Sequence, residues 1–282
     1  MTSADYLRHV IWRNNRLSYK VLRGKNRIKQ PKIVGLIRMR NEELILQDTL
    51  DHLSGIVDGI VVFDDASTDH CVEIAKEHKS VLEVIVNKKW HSHYRAWEET
   101  ANRKLLLERS RKYHPEWFFY VDADERFEGD IKDFLNSKSS AKVDIIRIQL
   151  FDAYMTNNDK EDFIKGDKLL NFRKYFGIER RDIAMIWRNL SDINYNIGLP
   201  DMREPDGLLG KKVMTKFYCQ HYGKAISAQQ WENTCDYYVA NFPGYAEKWR
   251  ARKGKAIHTE SDFGTKLLTW REVKENGGIK IN

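Results

Sequence analysis

Between residues 33 and 122 the apolar positions fall into two alternating patterns. Short runs that are apolar at nearly every position, Ile33-Val34-Gly35-Leu36-Ile37, Gly59-Ile60-Val61-Val62-Phe63, residues 81–86 and Trp117-Phe118-Phe119-Tyr120-Val121, fit strands buried on both faces. Between them the spacing turns helical. Leu46, Leu50 and Leu53 give one helix a buried stripe, Asn41 can cap it, and Glu42 and Glu43 suit its positive end. Ser67 or Thr68 can open a second helix reaching about His78, and residues 94–112 form a long third one. The order β-α-β-α-β-α-β predicts an α/β fold with a Rossmann-like, mostly parallel sheet covered on both faces. Right-handed crossovers bring the strand ends to one edge, and those ends bear Asp64, Asp65, Asp122 and Asp124.

Past Asp130 the pattern loosens. Val143–Leu150 and Ile183–Trp187 read as strands that extend the sheet, parallel or antiparallel, while 155–166 and 191–210 are polar and rich in turn residues. After Cys219-Gln220-His221-Tyr222 a helix carries Trp231, Cys235, Tyr238 and Val239 on one side. Asn241–Gly244 breaks it, and a last helical stretch starts at Tyr245. At the other end, Leu7, Val10, Ile11, Leu17, Val21 and Leu22 fit an amphipathic helix over residues 5–24, ended by Gly24 and Pro31. The expected organisation is an N-terminal helix over 1–30, a core over 31–225 that divides at about residue 130, and a helical extension over 226–282, with no repeat and no Pro/Gly linker.

A chain of 282 residues with 41% hydrophobic and 12% aromatic residues can bury a sizeable core. The net charge of +7 invites a nucleic-acid reading, but residues 6–32 hold nine bases and no Asp or Glu, more than the whole surplus. The rest is close to neutral, so nucleic acid is an improbable partner for the core. The basic helix has two readings: a solvated face on a packed helix, or a contact with an anionic membrane surface. Three cysteines without metal-ligand spacing, no apolar run near the ~20 residues of a membrane span and no signal-peptide pattern lead us to expect a cytoplasmic protein. The basic segment adds a peripheral position on the inner face of a membrane.

Chemistry concentrates where the Trp117 strand stops at Asp122-Ala123-Asp124-Glu125. Three carboxylates within four residues repel one another, so a cation or bound group must compensate them. Mg2+ or Mn2+ suits carboxylate oxygens and leaves positions for substrate phosphates, whereas the bland alternative is a solvated acidic turn.

Three stretches together resemble family 2 glycosyltransferases. Val62-Phe63-Asp64-Asp65-Ala66-Ser67-Thr68-Asp69 is similar to the family's VVDDGSTD, Ile37-Arg38-Met39-Arg40-Asn41-Glu42-Glu43 to its IPTYNEE, and Tyr120-Val121-Asp122-Ala123-Asp124-Glu125 to its DXD motif in the DADE form of one branch. The resemblance spans roughly 31–225. It implies a glycosyltransferase A fold with a nucleotide-binding half over 31–130 and an acceptor half over 131–225. It also implies an inverting, metal-dependent transfer of a sugar from a nucleotide-diphosphate donor, UDP-type favoured, to a glycan or lipid-linked acceptor hydroxyl.

By the same resemblance Asp124, with Asp122 and the late His221, is expected at a Mn2+ or Mg2+ ion, and Asp122 also at the nucleotide sugar. Asp65 matches the carboxylate that accepts from the nucleotide base, with helix capping as its structural alternative, a role that suits Asp69 better. Arg38 stands in the nucleotide loop where the family usually has Pro. Asn102-Arg103 approximates, in reversed order, an Arg-Asn pair of the DADE branch, which makes Arg103 a candidate clamp for the diphosphate. The general base falls in a window holding Asp192, Asp201, Glu204 and Asp206. Asp201 aligns best with the acidic member of the branch's His-Glu pair, although the His is absent here. The competing readings are a nucleotide-sugar-binding fold without catalysis and a basic nucleic-acid- or membrane-binding protein.

Overall fold

The computed structural model describes residues 19–90, 95–177 and 182–276. In chain order the elements are β1 (Tyr19–Arg23), β2 (Ile33–Met39), α1 (Glu43–Ser54), β3 (Gly59–Asp64), α2 (Cys71–Glu77), β4 (Val81–Asn87), α3 (Arg95–Ser110), β5 (Trp117–Asp122), β6 (Glu125–Glu128), α4 (Ile131–Asn136), β7 (Ile145–Tyr154), β8 (Tyr175–Phe176), β9 (Asp182–Arg188), β10 (Val213–His221), α5 (Ala228–Asn241), α6 (Ala246–Arg252), β11 (Leu268–Thr269) and α7 (Trp270–Glu275). They group into two compact units. The first holds the described residues up to Ala123 with Lys132–Ile146 and Ala184–Met214; the second holds Asp124–Ile131, Arg147–Ile183 and the described residues from Thr215 onward.

The first unit has the strand order β1-β4-β3-β2-β5-β9. Its four central strands are parallel, as the helical crossovers between them require. Every residue of β3 is buried, which explains why these strands read as continuous apolar runs rather than alternating ones. The register sets Met39 beside Asp64 and Arg38 beside Asp122, so the charged strand ends share one edge as expected. Leu46, Leu50 and Leu53 of α1 are fully buried. β9 adds antiparallel to β5, pairing Phe119 with Ile186.

Three local expectations need correction. Of the helix expected over 5–24, Tyr19–Arg23 is instead a strand, antiparallel to β4 from Tyr19↔Asn87 to Arg23↔Glu83, and residues 1–18 lie outside the described residues. The free edge of β4 offers a ladder of backbone partners that outweighs the helical spacing of Val21 and Leu22. Asn41 does not cap α1: it adopts φ 54°, and its side chain accepts from the Thr68 N–H at 2.8 Å. Nor does Ser67 or Thr68 cap α2. Asp69 serves both helices, accepting from the Glu43 N–H at 3.0 Å and the Cys71 N–H at 3.1 Å.

In the second unit β6 and β10 pair antiparallel, from Tyr218↔Glu128 to His221↔Glu125. β8 joins β7 to β11. α5 and α6 meet through an aromatic cluster in which Tyr238 and Trp249 stack at 4.4 Å. The three cysteines are free and buried. Among the described residues no helix is long and apolar enough to cross a membrane.

The docking of β1 is testable at Gly24, whose N–H donates to the Leu82 carbonyl at 3.0 Å and where a Cβ would stand 2.1 Å from the Val81 oxygen. Gly24→Ala should therefore lower unfolding stability by roughly 1–3 kcal/mol, as overpacking against backbone does. Denaturant unfolding checks it, and an unchanged midpoint would show that β1 is not held there.

Candidate active site

In the first unit the site is built on the carboxyl edge. Asp65, fully buried just past β3, accepts from Asn87 Nδ2 at 3.0 Å, pairs with the Arg95 guanidinium and lies 3.5 Å from Arg38 Nη1. Burial disfavours its charge, but Arg95, Arg38 and Asn87 outweigh burial and hold the carboxyl below the usual range. A carboxylate has about four lone-pair directions, so the chain already takes most of the acceptor capacity that a nucleotide base would use. Arg40 braces the same turn, donating to the Asp65 carbonyl at 2.7 Å and the Ala66 carbonyl at 2.6 Å. Arg40 and Arg95 also lie over the Trp90 ring, at 3.5 and 3.9 Å from its centre.

Asp122, at the end of β5, accepts from Arg203 Nη1 at 2.6 Å and from the Tyr120 hydroxyl at 3.3 Å. Arg103 is buried; its Nε donates to the Tyr120 hydroxyl at 3.1 Å and its Nη1 lies 3.5 Å from Glu99. Its guanidinium is thus turned toward Tyr120 and Glu99. Glu99 also lies 3.3 Å from Arg38 Nη2, so Arg38, Glu99, Arg103, Tyr120, Asp122 and Arg203 form one network.

Asp201 is brought to this network. Its N–H donates to the Ala96 carbonyl at 2.7 Å and the next N–H, of Met202, donates to Thr100 Oγ1 at 3.0 Å, which lays the loop along one face of α3. The backbone at Asp201 has φ 51°, an uncommon conformation for a non-glycine residue. The residue is exposed as a whole, yet partial desolvation of the carboxyl and then the charge of Glu99 raise its pKa, against Arg103, Arg38 and Arg203. The other acids of the window do different work. Asp192 is paired with Lys211, which lowers its pKa; Glu204 accepts from the Ala184 N–H at 3.1 Å; the Asp206 backbone exchanges hydrogen bonds with Asn194.

In the second unit, Asp124 Oδ2 lies 3.3 Å from His221 Nε2. The backbone fixes this meeting: the Tyr222 N–H donates to the Asp124 carbonyl at 2.9 Å. Next to them Gly223 leaves room, since a Cβ there would stand 2.8 Å from Asp124 Oδ2 and 3.0 Å from His221 Nε2. The other imidazole nitrogen, Nδ1, meets Asp152. Burial lowers the His221 pKa, but Asp124 and Asp152 outweigh it and raise it well above that of a free imidazole. Among the described residues no group of three or more His, Cys, Asp and Glu is disposed to hold a metal ion. A carboxylate and an imidazole side by side still suit an ion that completes its shell from phosphate and water. Asp122, assigned to the same ion from sequence, belongs to the first unit and is bonded there to Arg203.

The profile of Glycosyl transferase family 2 matches residues 36–193, more than half of the chain. The chain belongs to glycosyl transferase family 2. Two uncharacterized proteins, from Mycobacterium bovis and Mycobacterium tuberculosis, are each 35% identical to this family 2 chain over 102 residues, 36% of its length. It thus spans 25% of the length of those relatives. Among solved structures, a mannosyltransferase from Pyrobaculum calidifontis in complex with GDP-Man and Mn2+ aligns with a TM-score of 0.41 at 14% identity, over 90% of this chain and 72% of that one. Glucosyl-3-phosphoglycerate synthase from Mycobacterium tuberculosis, in complex with Mn2+, UDP and glucosyl-3-phosphoglycerate, aligns with a TM-score of 0.26 at 14% identity, over 43% of this chain and 44% of that one.

Sequence reading missed Arg95, Glu99, Arg203 and Asp152. Only Asp152 carried a local signal, an acid within the apolar run Leu150-Phe151-Asp152-Ala153-Tyr154.

Asp64 offers a pH test. It is buried, and desolvation, helped by Asp65 and Asp69 and opposed by hydrogen bonds from Ser67, pushes its pKa up to about 6. The folded state therefore holds this proton more tightly than the unfolded chain. Stability from this group is present below about pH 4, is lost as pH rises through 6, and amounts to at most roughly 3 kcal/mol. Asp64→Asn should gain on the wild type between pH 4 and 7 in urea titrations; a pH-independent difference would place the Asp64 proton elsewhere.

Proposed function

We propose that the chain transfers a sugar from a nucleotide-diphosphate donor, UDP-type favoured, to a hydroxyl of a glycan or lipid-linked acceptor, with inversion at the sugar carbon. The observation that carries this reading is the docking of Asp201 on Ala96 of α3, which sets its carboxyl, with a raised pKa, beside Glu99 and the arginines of the donor edge. A higher pKa makes a carboxylate a better acceptor of a hydroxyl proton. In the reaction Asp201 takes the proton of the acceptor hydroxyl, the freed oxygen bonds to the sugar carbon on the face opposite the diphosphate, and the bond from that carbon to the phosphate oxygen breaks. Arg38, Asp65 and Asp122 shape the donor edge. Arg103 and Arg203 fix Tyr120 and Asp122 in place.

Asp124 and His221 would hold Mn2+ or Mg2+, and such an ion would supply positive charge to the departing diphosphate. Part of the basic stretch serves the fold: Tyr19–Arg23 is an edge strand, and Asn26 donates to the Asp58 carbonyl at 2.9 Å. A contact with an anionic membrane surface would use Arg8, Arg13 and Arg16, outside the described residues, together with the exposed Lys20, Arg23, Lys25, Arg27 and Lys29.

Thermal shift tests the donor reading. UDP or GDP should raise the melting temperature only with Mn2+ or Mg2+ present, because a ligand bound to the native state stabilises it by mass action, and Asp124→Ala should remove the gain. Equal shifts with EDTA and with Mn2+ would sink the metal assignment.

Turnover tests Asp201. Asp201→Asn should leave nucleotide binding intact and lower transfer from a panel of UDP- and GDP-sugars by on the order of 10² or more. Nucleotide binding by the wild type without transfer to any acceptor would favour a nucleotide-sugar-binding protein instead.

A further inference from the structure

The His221 imidazole is the near end of a chain of alternating charges. Its Nδ1 meets Asp152 Oδ1, and Asp152 Oδ2 meets Lys224 Nζ. Lys224 Nζ also lies 2.6 Å from Asp262 Oδ2, which in turn lies 2.8 Å from Arg252 Nη2. The Asp262 N–H donates to the Tyr154 hydroxyl at 3.0 Å, tying the far end back to β7 two residues from Asp152. Asp152 and Lys224 are buried, at 1% and 8% exposure. Ion pairs buried this deeply are often no more stable than apolar residues of the same size, so stability alone is a weak reason for them. Orientation is a stronger one. An imidazole that ligates a metal through one nitrogen is held by an acceptor on the other, which fixes both ring angle and tautomer.

We propose that Asp152 is a positioning residue for a divalent cation held by Asp124 and His221, and that Lys224, Asp262 and Arg252 hold Asp152 in place. The inference rests on the metal reading given above. It assigns a role to the C-terminal stretch, which lies beyond the matched residues 36–193: Arg252 and Asp262 join the charge chain that runs through Lys224 and Asp152 to His221. The geometry supports it on both sides of the ring: Asp152 stands as acceptor at Nδ1, while Nε2 faces Asp124, with Gly223 packed so close that a Cβ there would stand 2.8 Å from Asp124 Oδ2 and 3.0 Å from His221 Nε2. In this role Asp152 acts through the ring.

The test is Mn2+ affinity of the full chain, read by electron paramagnetic resonance of free Mn2+ with and without UDP, together with the nitrogen modulation that a bound imidazole imprints on the Mn2+ echo. Asp152→Ala should weaken Mn2+ binding by roughly 10–100-fold, the usual effect of losing such a partner, and should reduce the nitrogen signal. Asp152→Asn keeps an acceptor and should restore most of both. Asp262→Asn, remote from the ion, should weaken binding several-fold; it carries the test if Asp152→Ala does not fold. Asp182→Asn, which removes a charge paired with Arg147 in the same unit, should bind as the wild type does. If Asp124→Ala abolishes binding while Asp152→Ala and Asp262→Asn bind like the wild type, the relay is overturned and the metal site stands. If the wild type binds no Mn2+, or Asp124→Ala binds equally well, the metal site is overturned and the relay with it.

Discussion

Carboxylates placed where buried strands end must be matched by positive charge, and in this protein most of that charge is guanidinium. Asp65 is held by Arg95 and Arg38, Asp122 by Arg203, and Glu99 by Arg38 and Arg103. Removing one partner of the fully buried Asp65–Arg95 pair would strand a charge at roughly 3–5 kcal/mol. Arginine suits the task because its planar fork serves two acceptors at once and keeps its charge when buried. Asp124 is matched differently. Its neighbour is an imidazole, and Gly223 lies beside both.

The parallel register makes this concentration unavoidable. Setting β2 between β3 and β5 aligns Arg38 with Asp122 on one side and Met39 with Asp64 on the other, so two acids and a base share one edge before any loop is placed. The left-handed backbone at Asn41 and Ala66 then turns the chain away from the strand ends toward α1 and α2. Asp69 joins the starts of both helices. The edge is thus fixed by backbone hydrogen bonds, while the charged groups are fixed by one another.

The loop at 191–210 gives its four acids different surroundings. Four carboxylates fall in the expected window, and sequence alone ranks them only by likeness to a motif whose histidine is missing. In the folded chain Asp201 and Met202 dock on Ala96 and Thr100, one turn apart on α3, and that contact sets Asp201 beside Glu99 and the arginines. Asp192 is neutralised by Lys211 instead. The distinction is one of tertiary contact: the four side chains are chemically alike.

The sequence by itself determined the alternation of buried strands and helices from Ile33 to Asp122, the gathering of acids on one edge and the family, because hydrophobic period and motif spacing are local properties. Strands β1, β6 and β10 were not legible. Lys20 to Arg23 carry helical spacing, Glu125–Glu128 follow the acidic turn at once, and 213–221 mix polar with apolar residues; each becomes a strand because a partner with a free edge stands beside it. Only the tertiary structure decided that Arg103 would be buried against Tyr120, that Asp152 would meet the second nitrogen of His221, and that the two compact units would each be assembled from separate stretches of chain. Such pairings join residues 17 and 69 positions apart, and their energy depends on burial and distance, which no local pattern encodes.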